Sequence, residues 1–295
     1  MDTGPISDPL APPIVVVAPQ DIAAPVVFAS PHSGSAYPRE FVNLARLDAL
    51  GLRRSEDAFV DELFAAAPEL GMPLLKARFP RAYVDVNRGP WELDPGMFAD
   101  RLPDYVDRAS PRAAAGLGTI ARVVADGAEI YAGKLLFAEA KRRIETLYIP
   151  YHDSLSALLD SAYRRWQRCL LVDCHSMPSG AAPAGVGGRP DFVLGDCHGS
   201  SCAAAITDLT EHMLRALGYR VARNEPYAGG FSTRRHGQPA QGRNALQIEI
   251  NRGLYMDETR MQPRPYFATL AAHLARLIEA LRDHMAVCQP AALAS

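Results

Sequence analysis

Cysteines are few in this sequence and follow no spacing that would cross-link the chain. The 295 residues contain 5 cysteines, an odd number, and no two of them form a C-x-x-C pair. This pattern argues against a disulfide framework and against a cysteine-rich structural zinc site. We expect most of them to be small buried thiols, with Cys174 of interest because it directly precedes His175.

The chain also lacks a long apolar segment near its start and a strong net charge. Residues 14–18 are the longest apolar run of the N-terminal region, far short of the about 20 residues that span a bilayer. No lysine or arginine precedes them, as one would in a secretory signal. We therefore expect a cytoplasmic protein with no membrane partner. The formal net charge of -2 gives no basic surface for nucleic acid, so local arginines have to hold any anionic ligand.

Short apolar runs alternate with long amphipathic stretches, which is typical of an α/β protein. A helix is predicted to start at Ser55 as its N-cap, with Glu56 and Asp57 in its first turn. The predicted strands are residues 14–18, 26–29, 73–77, 82–86, 169–173, 191–195 and 245–250. The other predicted helices are residues 111–126, 134–166, 201–217 and 264–285.

The length leaves the number of domains open, because one large α/β domain and two smaller domains are both possible near this size. Residues 178–190 are rich in glycine and proline and are predicted to be a loop. Residues 1–12 and 289–295 are predicted to be loose tails.

Polar residues follow three of the predicted strands at the point where each strand ends. His32 follows the run at 26–29, Asn87 and Arg88 follow 82–86, and His175 follows 169–173. In open α/β sheets ligands bind at the carboxyl edge of the strands. The pattern therefore predicts a functional site at this edge.

His32 and His175, together with a carboxylate near a helix start, would make two imidazoles and one acidic group. This is the ligand set of hydrolytic zinc, which keeps a fourth position for water. Glu56 and Asp57 are both available, and on a helix they point about 100° apart, so only one can easily face the metal. Either could instead stabilise the helix N-terminus. The remaining histidines are predicted to be structural or surface residues: His152, His198, His212, His236, His273 and His284.

A zinc hydrolase also needs a base that takes a proton from water and passes it to the leaving nitrogen. Glu249 is the best candidate, because it lies in the apolar run ALQIEI, where a charge is costly without a purpose or a partner. The alternation of this run places Gln247 and Glu249 on one face. That face could meet either a site or solvent.

Arginines are the remaining candidates for chemistry, because a guanidinium can hold a carboxylate in a bidentate pair or stabilise an oxyanion. Arg88 follows the predicted strand at 82–86, Arg81 precedes it, and Arg234 lies in the segment GGFSTRRHGQP. For any one of them, a solvated surface position is the simpler interpretation.

Several short motifs resemble those of one enzyme family in the same order. They are PHSGSAYP, SEDAFVDELF, RAYVDVNRGPWELDP, LLVDCHSMPS, RPDFVLGDCHGSSC, and YAGGFSTRRHGQP followed by ALQIEINRGLYMDE. From about residue 25 to about residue 260 the chain resembles the N-formylglutamate amidohydrolases, and the joint order of the motifs makes the resemblance specific.

The resemblance implies a single α/β/α domain over residues 13–288 with a mixed central sheet, of the zinc carboxypeptidase and aspartoacylase kind. It also implies one catalytic zinc ion per chain and hydrolysis of N-formyl-L-glutamate to formate and L-glutamate in histidine breakdown. By their positions in the motifs, the implied zinc ligands are His32, Asp57 and His175. Glu249 would be the base, Arg81 would stabilise the oxyanion, and Asn87 and Arg88 would hold the substrate carboxylate. Independently of the resemblance, Arg234 is the next candidate for holding that carboxylate.

The chain departs from the wider carboxypeptidase pattern at one position. Those enzymes place the second metal ligand three residues after the first histidine, where this chain has Ser35. The carboxylate ligand therefore has to come from elsewhere in the sequence.

Three other functions remain open at this point. The substrate could be another N-acyl amino acid or a cell-wall-type amide, or the protein could bind a ligand without catalysis. A nucleophilic hydrolase built on Cys174 and His175 is disfavoured, because neighbours along a strand point to opposite faces.

Overall fold

A mixed seven-stranded sheet forms the centre of the computed structural model, which describes residues 10, 12–124, 126–182 and 188–287. The sheet order is β1-β3-β2-β4-β7-β5-β6, and β8 and β9 form a separate pair. The strands are β1 (Ile14–Val17), β2 (Val26–Ser30), β3 (Leu74–Ala77), β4 (Cys169–Met177), β5 (Phe192–Gly195), β6 (Val221–Arg223), β7 (Arg243–Asn251), β8 (Met256–Asp257) and β9 (Gln262–Pro263). The strands β2, β4 and β7 run parallel, whereas β5 is antiparallel to β7. The predicted α/β class and mixed sheet are confirmed.

Helices connect these strands. They are α1 (Arg39–Leu44), α2 (Ala49–Arg53), α3 (Val60–Leu63), α4 (Ala66–Glu69), α5 (Pro111–Ala114), α6 (Phe137–Arg143), α7 (Ile149–Trp166), α8 (Ala204–Ala216), α9 (Phe231–His236) and α10 (Phe267–Val287). A π-helical turn, Ile144–Tyr148, joins α6 to α7. The helices predicted over 134–166, 201–217 and 264–285 are therefore confirmed, with small shifts of their ends.

The chain forms two compact units. One includes Pro31–Ala58 and Lys76–Ser154, and the other includes Val16–Ser30, Phe59–Leu75 and the described residues from Leu155 onward. The single domain expected over residues 13–288 stays a prediction.

In the first unit, the side chain of Arg143 is fully buried among aromatic rings. Its guanidinium carbon lies 4.0 Å from the centre of the Tyr83 ring, and Nη1 donates to the Tyr131 hydroxyl at 2.8 Å. Its Nε donates to Glu139 at 2.7 Å. The cation is thus held by a carboxylate and by the faces of aromatic rings, which offsets the cost of burying it.

In the second unit, the apolar strands and the last helix form the core. Every residue of β2 and β4 is buried, as expected for parallel strands covered on both faces. The helix α10 buries apolar residues that recur at helical spacing, and it packs against α3, α4 and α8.

Residues 82–86, predicted as a strand, form a turn instead. The N–H groups of Tyr83 and Val84 both donate to the carbonyl of Pro80, and the N–H of Asp85 donates to Thr119. The apolar residues of this run are buried without pairing in the sheet. Their burial in this turn explains why the run is apolar. Of the three predicted strand endings, only the one before His32 exists, because β4 continues to Met177 and His175 lies within it.

The helix predicted to start at Ser55 begins later. Its first residue is Val60, and the preceding Phe59 has a left-handed backbone with φ of 65°. Glu56 and Asp57 precede the helix, so the assumption that they lie 100° apart on a helix was wrong.

The helix predicted over 111–126 is limited to α5, which spans only Pro111–Ala114. Gly116 has a left-handed backbone with φ of +82°, the conformation that commonly ends a helix.

The predicted tails lie outside the described residues, except Leu10 and Pro12, and so do residues 183–187 of the predicted loop. Among the helices that the structure describes, none has the length and apolar character needed to cross a membrane. The cytoplasmic location stays a prediction.

Candidate metal centre

His32 lies just beyond the carboxyl end of β2 and is buried. Its backbone carbonyl accepts a hydrogen bond from the N–H of Asp57 at 3.0 Å, and its Nδ1 lies 3.3 Å from Asp57 Oδ2. On the opposite side of the ring, Nε2 lies 2.8 Å from Asp85 Oδ1. Two carboxylates therefore flank this imidazole.

The charge of Asp85 decides which nitrogen of His32 can face a metal ion. Burial raises the pKa of the Asp85 carboxyl, but Arg81 and Arg88 outweigh burial and hold this pKa well below its usual range. An ionised carboxylate only accepts hydrogen bonds, so the shared hydrogen belongs to Nε2. A neutral imidazole with its hydrogen on Nε2 would present the lone pair of Nδ1 on the side where Asp57 lies.

His175 belongs to β4 and is also buried. Its Nε2 lies 3.1 Å from Oδ1 of Asp173. Residues two apart on a strand share a face, which explains why these two side chains meet. Each of the two predicted histidines thus has a carboxylate against one ring nitrogen.

Three of these residues offer metal-binding atoms at close range. Suitable atoms of His32, Asp57 and His175 all lie within 4.8 Å of one another, and all three residues are buried. Two imidazole nitrogens and one carboxylate oxygen are the donor set of hydrolytic zinc sites. Metal-bound histidines commonly donate their other ring N–H to a carboxylate, and the hydrogen bond between His32 and Asp85 has this form. The chemistry of the donor set therefore fits a zinc ion.

Glu56, the alternative carboxylate, has different neighbours. It accepts a hydrogen bond from the Tyr37 hydroxyl at 2.6 Å and one from Arg53 Nη2 at 3.0 Å. Burial raises the pKa of Tyr37 well above its usual range and the charge of Glu56 adds to this effect, so Tyr37 stays a hydrogen-bond donor. Within the part of the chain that the structure describes, Asp57 and not Glu56 joins the histidine cluster.

Two of the three predicted arginines, Arg81 and Arg88, converge on Asp85. Arg81 Nη2 donates to Asp85 Oδ2 at 2.8 Å, and Arg88 Nη2 lies 3.7 Å from the same oxygen. Two other groups of Arg88 donate to the backbone carbonyls of Leu117 and Asn87. Asn87 and Arg88 thus follow a buried turn, whereas the sequence predicted that they follow the end of a strand.

Glu249, the predicted base, lies on β7 opposite His175 in the parallel register with β4. It is only 6% exposed, so the alternative in which its face meets solvent is wrong. Gln247 Nε2 donates to Glu249 Oε1 at 2.8 Å, and Gln247 itself lies opposite Asp173. Four buried polar side chains therefore occupy one face of these two strands.

Cys174 is unsuited to act as a nucleophile. Burial raises the pKa of its thiol well above the usual range, and the charge of Asp173 raises it further. The Sγ atom donates to the carbonyl of Val172 at 3.4 Å. Because the thiolate is the reactive form, a buried thiol of high pKa is inert.

Arg234 lies on α9, is exposed, and donates through Nη1 to the carbonyl of Gly229 at 2.9 Å.

Two of the histidines that were predicted to be structural or surface residues lie within hydrogen-bond distance of another polar group. His152 Nε2 lies 2.8 Å from the carbonyl oxygen of Val86, and His273 Nδ1 lies 2.7 Å from the hydroxyl of Tyr219.

Sequence reasoning missed Asp85 and Asp173 as members of the site. Each is an acidic residue inside an apolar run, AYVDV and CLLVD, and both are buried. The same signal singled out Glu249, because a buried charge is costly without a partner. If every apolar run had been searched for an acidic residue, Asp85, Asp173 and Glu249 would all have been identified.

Comparison with known proteins places these residues in a family. The family model of the N-formylglutamate amidohydrolases matches residues 24–256. The N-formylglutamate deformylase of Pseudomonas putida is 28% identical over 264 residues, which cover 87% of this chain and 92% of that protein. The protein of the same name from Pseudomonas aeruginosa is 29% identical over 264 residues, covering 88% of this chain and 92% of that one.

Two solved structures are also similar. The crystal structure of N-formylglutamate amidohydrolase from Ralstonia eutropha JMP134 superposes with a TM-score of 0.87 at 38% identity, covering 92% of this chain and 98% of that one. A protein of Agrobacterium tumefaciens with a TM-score of 0.64 and 20% identity, covering 95% and 97% of the two chains, shares the fold. Because the family model matches most of the sequence, the chain belongs to the N-formylglutamate amidohydrolase family.

Proposed function

We propose that this protein hydrolyses the amide bond of an N-formyl acidic amino acid, with N-formyl-L-glutamate as the first candidate substrate. The products would be formate and L-glutamate. The observation that carries the proposal is the buried cluster of His32, Asp57 and His175, whose metal-binding atoms lie within 4.8 Å of one another. In a member of this family, that cluster supports one zinc ion per chain as the cofactor.

His32, Asp57 and His175 would hold the zinc ion, which when bound would polarise the formyl carbonyl as a Lewis acid and make water more acidic. Glu249 is the proposed general base, which takes the proton of the attacking water and delivers it to the leaving nitrogen. Two features support this role. Glu249 lies opposite His175 in the strand register, and Gln247 fixes one of its carboxylate oxygens by a hydrogen bond of 2.8 Å.

N-formyl-L-glutamate carries two carboxylates, and the arginines supply the positive charge that such a molecule needs. Arg81 is proposed to stabilise the oxyanion, and Asn87 with Arg88 to hold a substrate carboxylate, with Arg234 as a further contact. A guanidinium pairs with a carboxylate through two parallel hydrogen bonds. Asp85 forms ion pairs with Arg81 and Arg88. A bound substrate anion would interact with the same two arginines alongside Asp85.

The experiment combines metal analysis with product detection. The purified protein is expected to contain zinc and to release formate from N-formyl-L-glutamate faster than from N-formyl-glutamine, which lacks the side-chain carboxylate. Acetate release from N-acetyl-glutamate, and cleavage of a cell-wall-type amide, are measured in parallel. Formate release only in the presence of zinc would support the proposal.

Two outcomes would contradict it. Faster release of acetate than of formate would assign another N-acyl amino acid as substrate. Zinc binding without hydrolysis of any of these amides would indicate a ligand-binding protein. The place of the reaction in histidine breakdown and the cytoplasmic location are predictions that need cellular experiments.

A further inference from the structure

Asp85 is the point where the candidate metal ligand and the candidate substrate arginines meet. Its Oδ1 lies 2.8 Å from His32 Nε2 and accepts the backbone N–H of Asn87 at 2.9 Å. Its Oδ2 accepts Arg81 Nη2 at 2.8 Å and lies 3.7 Å from Arg88 Nη2. Each oxygen of this carboxylate thus contacts a different part of the site.

The carboxylate cannot turn toward one group without leaving the other. Asp85 is 4% exposed, and its own backbone N–H is held by the carbonyl of Thr119 at 2.8 Å. A fixed carboxylate with two oxygens in use sets the orientation of the imidazole through one and of the guanidinium through the other. The buried turn at residues 82–86 supplies this geometry.

We propose that Asp85 is a positioning residue that orients His32 for the metal and Arg81 and Arg88 for the substrate. The inference rests on the proposed function, because it takes His32 as a zinc ligand and the arginines as contacts of an anionic substrate. It adds a role for a residue that touches neither the metal nor the substrate. One carboxylate then links metal affinity to substrate recognition.

A merely structural role makes a different prediction. Removing one partner from a buried set of charges destabilises the fold wherever that set lies. If Asp85 had only a structural role, its substitution would lower the melting temperature but would leave the zinc affinity and the KM of the folded fraction unchanged. The positioning role changes both of these quantities.

The test compares Asp85→Asn and Asp85→Ala with the wild-type protein. The amide oxygen of asparagine can still accept from His32 Nε2, but its NH₂ group would face Arg81 Nη2, donor against donor. Alanine removes both interactions. We expect Asp85→Ala to weaken zinc affinity by about 10- to 100-fold, measured by competition with a chelating dye, and Asp85→Asn to weaken it less. The KM for N-formyl-L-glutamate is expected to rise by about tenfold or more in both variants.

Asp191 provides the matched control. It is 7% exposed and pairs with Arg220, from which Nη2 donates to Asp191 Oδ1 at 2.8 Å. Asp191→Asn also removes the charge of a buried ion-paired carboxylate, but it is expected to leave zinc affinity and KM unchanged. If Asp85→Ala does not fold, Asp85→Asn with this control decides the question.

The outcomes separate the inference from the proposed function. A wild-type protein that binds no zinc or releases no formate overturns the proposed function, and this inference with it. A wild-type enzyme that does both, with an Asp85→Asn variant unchanged in zinc affinity and KM, overturns the inference alone. An Asp85→Ala variant that changes only one of the two quantities also contradicts it, because alanine removes both interactions and the proposed role links both quantities.

Discussion

His175 and Glu249 lie opposite each other on the parallel strands β4 and β7. Neighbouring strands are about 4.8 Å apart, so two side chains at one register position on the same face are close neighbours. These residues are far apart in sequence, and the pairing of β4 with β7 is what brings them together. The proposed zinc ligand and the proposed base thereby occupy one buried face of the sheet.

The first prediction concerns the histidines. His32→Ala and His175→Ala are each expected to lose bound zinc and activity together, because a site with three protein ligands rarely keeps zinc with two. Zinc content is measured by atomic emission after dialysis. His212→Ala, on α8 at a position that is not buried, is the control and should keep both. Full zinc content in either cluster variant would remove that residue from the ligand set.

The second prediction separates Asp57 from Glu56. Asp57→Ala should lower zinc affinity far more than Glu56→Ala, because Asp57 joins the histidine cluster and Glu56 pairs with Arg53 and Tyr37. Glu56→Ala should instead reduce the free energy of unfolding by about 2 kcal/mol through the loss of these hydrogen bonds. Zinc titration and thermal unfolding measure the two effects. The opposite order of zinc affinities would make Glu56 the ligand.

The third prediction tests the base. Glu249→Gln keeps the shape of the side chain and an oxygen that can accept from Gln247, but it cannot take a proton from water. Zinc should remain bound while kcat falls by about 100-fold or more. Stopped formate assays and zinc analysis on the same sample test this. Normal turnover in the variant would assign proton transfer to another group.

The fourth prediction concerns substrate recognition by Arg88. Arg88→Ala should mainly raise KM, because a carboxylate contact is present in both the ground state and the transition state. Kinetics with N-formyl-L-glutamate give KM and kcat separately. An unchanged KM would transfer this role to Arg234, whose alanine variant is tested beside it.

The fifth prediction follows from the raised pKa of Cys174. A thiol whose pKa lies well above the usual range stays protonated at pH 8, so iodoacetamide should leave Cys174 unmodified in the native protein. Cys197, which is partly exposed, serves as the internal control in peptide mapping by mass spectrometry. Cys174→Ala should retain activity. Modification of Cys174 that proceeds in step with inactivation would restore the nucleophilic mechanism.

The sequence alone identified the features that depend on local pattern. Continuous apolar runs predicted β2 and β4, because strands buried on both faces have no polar alternation. His32 and His175 were identified as candidate ligands because each comes shortly after the end of such an apolar run. Long helical periodicity predicted α7, α8 and α10, since an apolar stripe that recurs over several turns is typical of an amphipathic helix.

The sequence could not distinguish a buried turn from a strand at residues 82–86. A mostly apolar run is compatible with a strand and with a buried turn. The hydrogen bonds to the carbonyls of Pro80 and Thr119 show that this run forms a turn. Likewise, α3 begins at Val60 after the left-handed Phe59 and not after a cap at Ser55, and the N–H of Asp57 donates to the carbonyl of His32, which is distant in sequence. Helix ends and turns are set by such distant partners, which local propensity does not encode.

The composition of the candidate site divides in the same way. The sequence by itself determined which residue types could bind zinc, hold an anion or accept a proton, because these capacities belong to the side chains. Only the tertiary structure decided that Asp57 rather than Glu56 joins the histidines, and that Asp85 contacts both His32 and Arg81. Such distances depend on which chain segments pack together, and packing is a property of the whole fold and not of any short stretch of sequence.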